Sequence, residues 1–98
     1  MYSISYTQLA EEDLFELFEL IAEDKPTIAV KYITKLEKYI ELLQTNPQLG
    51  LECKNKNINK DCRILIYDDY LIFYTINNDD NILIIRILNS KINYINKI

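Results

Sequence analysis

A guanidinium interrupts an apolar run late in the sequence, and a second cation and an aromatic ring follow it closely. Arg86 lies within Ile82–Leu88, and Lys91 and Tyr94 come after that run. A strand in a protein core has no use for a guanidinium unless the charge is paired or reaches the rim of the sheet. The planar fork of arginine donates two parallel hydrogen bonds, which suits a carboxylate or a phosphate. The pattern therefore indicates either an internal ion pair or a surface for an anionic partner.

Several classes of chemistry lack the residue types that they need. The chain has no histidine, and Cys53 and Cys62 do not have C-x-x-C spacing. A zinc site, a thiol redox pair and a histidine-based catalytic dyad are therefore not expected, and we predict neither a metal nor another cofactor. The two cysteines are expected to be free thiols in a reducing cytosol.

The apolar runs of the chain predict a cytoplasmic protein without a membrane segment. The longest of them, Tyr70–Ile76 and Ile82–Leu88, are far too short to span a bilayer. The N-terminus lacks a basic segment followed by an apolar one, so no secretory signal is predicted.

The charge of the chain, −4 in total, is unevenly distributed. Residues 1–50 hold nine acids and four bases, whereas residues 51–98 hold six acids and seven bases. Beyond Asp80 the charged residues are all cations: Arg86, Lys91 and Lys97. The asymmetry has two explanations, which are chance over a short chain or a basic face for an anionic or acidic partner.

The first half of the chain predicts a strand followed by a helical hairpin, and 98 residues provide room for one domain. Alternation over Tyr2–Tyr6 predicts a half-buried strand, and helical periodicity predicts a helix from Gln8 to about Glu23. A second helix begins near Pro26 and stops at Asn46-Pro47. Its apolar positions advance by four and three residues: Ala29, Ile33, Leu36, Ile40 and Leu43. The short link between the helices makes the pair antiparallel.

The second half predicts an antiparallel meander. Leu51–Lys60 is polar and basic and is predicted to be a loop, preceded by Gly50 at a position suited to a left-handed conformation. Three strands with short turns follow, at about Arg63–Tyr67, Tyr70–Ile76 and Ile82–Leu88. The fold class is therefore α+β, with one face of the sheet under the helical hairpin.

In order and spacing, these segments resemble the RelE/ParE toxins of bacterial type II toxin–antitoxin systems. The opening YSISYTQLAEEDLFELFELIAED is similar to the first strand and helix of that family, and KPTIAVKYITKLEKYIELLQTNPQLG to its second helix and exit. The segment CRILIYDDYLIFYTINNDDNILIIRILNSKINY is similar to its meander, in which an arginine opens the first strand and I-x-R-V/I-L-H marks the last. The resemblance covers nearly the whole chain.

The resemblance implies a small growth-inhibiting toxin, of the kind linked to plasmid stabilisation, that a cognate antitoxin silences with a disordered tail. ParE-like members poison DNA gyrase by binding it, and RelE-like members cleave mRNA in the ribosome. The acidic balance, the missing histidine and the small number of cations favour a ParE-like toxin. The alternatives are a ribosome-dependent mRNA endonuclease and a non-toxic remnant that still binds its antitoxin.

For the RelE-like alternative, the resemblance implies three catalytic residues. Arg63 would stabilise charge on the phosphate, and Lys91 and Tyr94 would supply acid–base transfer or base stacking. The sequence departs from the family pattern at Asn89, where histidine is usual, and at Ile92, where a second cation is frequent. We expect Arg63 and Lys91 to be neighbours at the rim of the sheet that the helices leave uncovered.

Four further cations are candidates for contacts with a partner or with nucleic acid. Lys54, Lys56 and Lys60 lie in the loop where RNA-cleaving relatives carry phosphate-binding lysines, although such lysines are often simply solvated. The counterpart of Arg86 is common to both branches of the family, which suggests a structural task. For Arg86 we favour a salt bridge with an acid of the first helix over a contact with a partner.

Overall fold

A sheet of five strands and a pair of helices account for most of the chain. The computed structural model describes residues 1–58, 60–92 and 94–98. In chain order the elements are β1 Ser3–Tyr6, α1 Gln8–Ala22, α2 Pro26–Glu41, a 3-10 turn at Leu42–Gln44, β2 Leu51–Glu52, a 3-10 turn at Cys53–Lys56, β3 Arg63–Tyr67, β4 Tyr70–Ile76, β5 Asn81–Asn89 and a 3-10 turn at Tyr94–Lys97. Within the described residues, neither helix is long and apolar enough to cross a membrane.

The start of α1 is fixed by a capping residue that also contacts the sheet. The Thr7 hydroxyl accepts a hydrogen bond from the Ala10 N–H at 3.0 Å, which satisfies one of the free donors at the helix N-terminus. The same hydroxyl donates to the Ile85 carbonyl at 2.7 Å. One side chain thus caps the helix and attaches it to β5.

The sheet has the strand order β1-β5-β4-β3-β2. β3, β4 and β5 form the predicted antiparallel meander, and β1 lies parallel to β5 along Asn81–Ile84. The α+β class and the helical hairpin are confirmed. The meander is extended at both edges, because β1 joins β5 and the two-residue strand β2 joins β3. β2 lies in the segment that was predicted to be a loop.

Both faces of the sheet are covered: the hairpin lies on one, as expected, and the segment after β2 and the C-terminal turn lie on the other. The hairpin buries one face around these residues: Leu17, Leu36, Ile40, Ile72, Tyr74 and Ile84. Cys53 and Ile58 cover the other face, with Tyr94 and Ile98 packed beside them. Accordingly, the four consecutive β4 residues Leu71–Tyr74 are all buried, as in strands that are enclosed on two sides.

The two cysteines form a disulfide, so the expectation of free thiols is wrong. The register of β2 and β3 pairs Glu52 with Arg63, and Cys53 and Cys62 are the next residues outward on each strand. Their Cα atoms are 5.3 Å apart, within the normal range for a disulfide. The Cys53 N–H also donates to the Cys62 carbonyl at 2.9 Å. The pairing was missed because a two-residue strand gives no recognisable sequence pattern.

Candidate functional site

A polar cleft of about 340 Å³ lies where β2, β3 and β4 meet. Its charged and amide lining consists of Glu52, Lys54, Lys60, Asp61, Arg63 and Asn77. Three of the seven cations and aromatics predicted from the sequence therefore come together here, namely Lys54, Lys60 and Arg63. Lys56 is exposed on the same 3-10 turn as Lys54 but does not line the cleft.

Most of the hydrogen-bonding capacity of Arg63 is directed at the protein's own backbone. Its Nη1 donates to the Gly50 carbonyl at 2.7 Å and to the Gln48 carbonyl at 3.4 Å. Its Nη2 lies 3.4 Å from Glu52 Oε1, and the side chain is 22% exposed. Arg63 therefore holds the segment that enters β2 and presents only part of its charge to the cleft.

Tyr74 fixes the same segment from within the core. Its hydroxyl donates to the Pro47 carbonyl at 2.7 Å and accepts from the Gly50 N–H at 2.9 Å. Burial raises the pKa of the Tyr74 hydroxyl above its ordinary value of 10.0, whereas the Gly50 N–H and the Arg63 charge act in the opposite direction. The hydroxyl is therefore neutral at physiological pH and can donate its proton to Pro47.

Gly50 is required here for space and not for a left-handed backbone, which corrects the sequence-based expectation. A Cβ at this position would lie 2.8 Å from the Ile64 carbonyl oxygen and 2.8 Å from the Tyr74 hydroxyl. In the part of the chain that the structure describes, the residues with positive φ are instead Asn or Asp: Asn57, Asp68 and Asp80. Any side chain at position 50 would therefore push β3 away from the segment that Tyr74 and Arg63 hold.

The lysines of the cleft provide its accessible positive charge. Lys54 and Lys60 are both exposed, and the Lys60 amine also donates to the main-chain oxygen of Ile98. Because Glu52 and Asp61 lie among the three cations, the cleft carries a small positive charge rather than a strong one. Such a site can attract carboxylates of a protein surface more readily than it can hold a polyanion.

Arg86 forms the internal salt bridge that the sequence predicted, with Asp13 of α1. Its Nε and Nη2 donate to the two Asp13 oxygens, each at 2.9 Å. The two side chains are 15% and 8% exposed, and the hydrogen bonds to Asp13 raise the pKa of the Arg86 guanidinium. Its Nη1 donates to the Lys97 carbonyl at 3.0 Å, which leaves little of the guanidinium for a partner.

Asp13 itself was not singled out in the sequence, although a signal was present. It occupies the apolar side of α1, three residues after buried Ala10 and four before buried Leu17. An acid on the buried stripe of a helix needs a cation from another element. The isolated arginine in an apolar strand is the matching half of that signal.

Arg63 and Lys91 are not neighbours, so the expected pair at the sheet rim is wrong. β3 and β5 both run antiparallel to β4, and thus in the same direction. Arg63 opens β3, whereas Lys91 follows the end of β5. Since β3 spans four residue steps from Arg63 to Tyr67, the two cations are separated by at least about 13 Å along the strands.

The other members of the predicted catalytic set have structural contacts. The ring of Tyr94 packs against Phe73, with ring centroids 5.8 Å apart, and is partly buried. Asn89, which stands where relatives have histidine, accepts the Lys91 N–H through Oδ1 at 2.8 Å and so closes the turn after β5. Among the described residues there is also no group of His, Cys, Asp or Glu side chains that could hold a metal ion.

Comparison with known proteins gives a family and a structural match. The model for the ParE toxin of type II toxin-antitoxin system, parDE, matches residues 4–94. No curated protein sequence matches the chain. A chain from the chromosomal ParDE TA system of P. aeruginosa has a TM-score of 0.78 at 20% sequence identity, with 93% of this chain and 98% of that chain covered. At this identity the structural match shows a shared fold.

Substitution of Asp13 by Ala should lower the free energy of unfolding by about 3 kcal/mol, because it leaves the Arg86 guanidinium and the Ile87 N–H without their shared acceptor. Urea unfolding followed by circular dichroism measures this loss. Glu12→Ala, on the exposed side of the same helix, is the control and should change stability by less than about 0.5 kcal/mol. In a double-mutant cycle with Arg86→Met, additive losses would contradict the assigned pair.

Substitution of Tyr74 by Phe should cost about 1–3 kcal/mol at neutral pH, since the Pro47 carbonyl and the Gly50 N–H lose their partner. Because folding raises the pKa of Tyr74, its neutral form stabilises the fold below pH 10.0, and that contribution is lost as the pH rises through the folded-state value. The variant should therefore show a shallower fall in stability above pH 10.0 than the wild type. Equal slopes in urea titrations of both proteins would refute this assignment.

Proposed function

The chain belongs to the family of ParE toxins of type II toxin–antitoxin systems, and from this premise we propose that it inhibits DNA gyrase by binding it and is neutralised by a cognate antitoxin. The inhibition is a protein–protein contact in the cytoplasm and breaks no covalent bond. Growth arrest then follows from blocked replication rather than from loss of mRNA.

The separation of the candidate catalytic groups is the observation that carries this choice over RNA cleavage. Attack by a 2′-hydroxyl needs a base, an acid and a cation around one phosphate, within hydrogen-bond reach of the reacting atoms. Arg63 and Lys91 lie at opposite ends of the strand direction, and most donors of Arg63 serve backbone carbonyls. Tyr94 packs on Phe73. These placements favour binding over cleavage.

The cleft of Lys54, Lys60 and Arg63 is the proposed contact for acidic side chains of the target. Exposed cations at the rim of an interface mainly accelerate association and select partners of opposite charge. The small excess of positive charge in the cleft suits a protein surface with a few carboxylates. Arg86 and Lys91 have no part in this contact.

The outer edge of β3 is the proposed place for the antitoxin. Among the described residues, β2 pairs only with Arg63 and Ile64, so the edge of β3 from Leu65 onward has no strand beside it. Leu51 and Ile66 lie exposed next to that edge. An extended antitoxin segment can add a strand there through main-chain hydrogen bonds, with apolar side chains on these two residues.

The function is tested by a gyrase supercoiling assay with purified protein and two charge-reversed variants. The wild type should inhibit supercoiling, and Lys54→Glu with Lys60→Glu should weaken inhibition by about tenfold or more, because rim charges control association. The control reverses two exposed lysines of α2, Lys35→Glu with Lys38→Glu, and should inhibit like the wild type. If the control variant loses inhibition of supercoiling to the same extent, the cleft has no specific role in binding gyrase.

Induction in bacterial cells distinguishes the proposed function from its alternatives. Gyrase inhibition predicts filamentation and induction of the DNA-damage response with intact mRNA. In-frame cuts in mRNA and early loss of translation would establish a ribosome-dependent endonuclease instead. Normal growth and normal supercoiling in the presence of the protein would indicate a remnant without toxicity.

A further inference from the structure

Helix α1 carries the whole excess of negative charge. It holds five acids and no base: Glu11, Glu12, Asp13, Glu16 and Glu19. The remaining residues hold ten acids and eleven bases, a net charge of +1. Asp13 is paired with Arg86, whereas the four glutamates are exposed. The exposed side of α1 is therefore a strongly acidic surface on an otherwise nearly neutral protein.

The arrangement of these glutamates opposes the stability of the isolated helix. Glu12, Glu16 and Glu19 follow one another by four and three residues, so like charges are neighbours on one face. Acids near a helix C-terminus also interact unfavourably with the helix dipole, and the last turn of α1 holds no base. Within the described ranges, no glutamate of this stripe forms a salt bridge, although Glu12 and Glu16 lie near enough to Arg86 for their charges to raise its pKa.

Helix α2 carries a basic stripe with the same spacing. Lys31, Lys35 and Lys38 are exposed and advance by four and three residues. They lie roughly opposite the buried positions Ala29 and Leu36, just as the α1 glutamates lie opposite Ala10 and Leu17. Both stripes therefore lie on the outer half of the hairpin, and Glu16 at the border of the acidic stripe also lines the cleft beside β5.

Large apolar side chains accompany both stripes. On α1, Phe15 and Leu20 are each 62% exposed, and on α2, Ile28 and Val30 are 46% and 56% exposed. Exposed ion pairs contribute little one by one, whereas apolar side chains beside them supply the area that an interface needs. Leu20 lines the cleft between α1 and β5, so the outer face of the hairpin has two charge stripes of opposite sign and three of these apolar side chains.

We propose that this face binds a second copy of the chain, hairpin against hairpin, with the acidic stripe of each copy on the basic stripe of the other. A twofold axis parallel to the helices lays α1 of one copy antiparallel on α2 of the other and uses each surface twice, as an isologous dimer requires. The proposal concerns self-association only and does not depend on the proposed function.

The levels of the two stripes along the hairpin support this geometry. Glu16 precedes the end of α1 by six residues and Lys31 follows the start of α2 by five, which places both at about 8–9 Å from the hairpin turn. Glu12 and Lys35 lie ten and nine residues from those ends, at about 14–15 Å. Rotation about this twofold axis leaves the distance of each residue from the hairpin turn unchanged. Glu16 therefore meets Lys31 of the second copy, and Glu12 meets Lys35 of the second copy.

Other occupants of the face fit its chemistry less well. Nucleic acids and anionic lipid surfaces are repelled by the glutamates of α1. A partner with one basic helix would satisfy the acidic stripe but would leave the lysines of α2 facing like charge. Only a partner that carries both signs side by side matches both helices, and a second copy of this hairpin has that pattern.

Sedimentation equilibrium of the full chain tests the dimer. At about 50 mM salt the wild type should associate, and at about 500 mM salt its dissociation constant should rise by about tenfold or more, since salt screens exposed pairs. A wild type that stays monomeric at low salt at the highest attainable concentration would overturn the proposal. Association that is unchanged at high salt would equally reject the charge-based interface.

Two charge-reversed variants identify the dimer surface, because each should abolish dimerisation alone and their mixture should restore it. Glu12→Lys with Glu16→Lys should be monomeric, and Lys31→Glu with Lys35→Glu should be monomeric as well, because each presents one sign on both helices. An equimolar mixture of the two should form a heterodimer, since each stripe again meets its opposite. A mixture that stays monomeric would refute the interface, and misfolding is checked by the circular dichroism spectrum of each variant alone.

A matched control separates the surface from the total charge. Asp69→Lys with Asp79→Lys makes the same change in net charge at exposed turns of the sheet. This variant should dimerise like the wild type at low salt. If it loses the dimer to the same extent as the α1 variant, net charge and not the hairpin face governs association, and the proposal fails.

Discussion

The outer edge of β5 is the constraint on which the rest of the fold depends. β1 covers that edge only along Asn81–Ile84, so the second half of the strand would expose unpaired backbone groups. The side chains of Thr7, the N-cap of α1, and of Asp13 in α1 bind backbone groups of β5 that β1 leaves unpaired. Thr7 donates to the Ile85 carbonyl, and Asp13 accepts the Ile87 N–H while it holds Arg86. The position of the helical hairpin over the sheet follows from these contacts.

The two arginines of the meander therefore have mainly structural roles, which shapes the functional conclusion. Arg86 joins β5 to α1 and, through Lys97, to the C-terminal turn. Arg63 joins β3 to the segment that enters β2, together with Tyr74. Among the described residues, the cations that remain accessible are lysines, and together with exposed apolar residues they serve binding better than proton transfer. A toxin that acts by contact needs no more than that.

The sequence predicted those parts of the fold that depend on local periodicity. Apolar positions at helical spacing predicted the two helices, and short polar turns predicted the meander. The arginine within an apolar strand, together with the acidic first helix, predicted the ion pair of Arg86. The parallel position of β1 and the two-residue strand β2 were not predictable, since both depend on pairing between distant segments. The Cys53–Cys62 bond was missed for the same reason. The separation of Arg63 from Lys91 follows from the predicted meander itself, because its first and third strands run in the same direction and the two cations lie at opposite ends of them.

Amide hydrogen exchange at Ile87 tests the central constraint most directly. If the Asp13 carboxylate completes the edge of β5, the Ile87 N–H should exchange only through global unfolding, as slowly as the amides of the buried strand β4. Exchange of Ile87 at the rate of an open strand edge, with β4 still protected, would contradict the account.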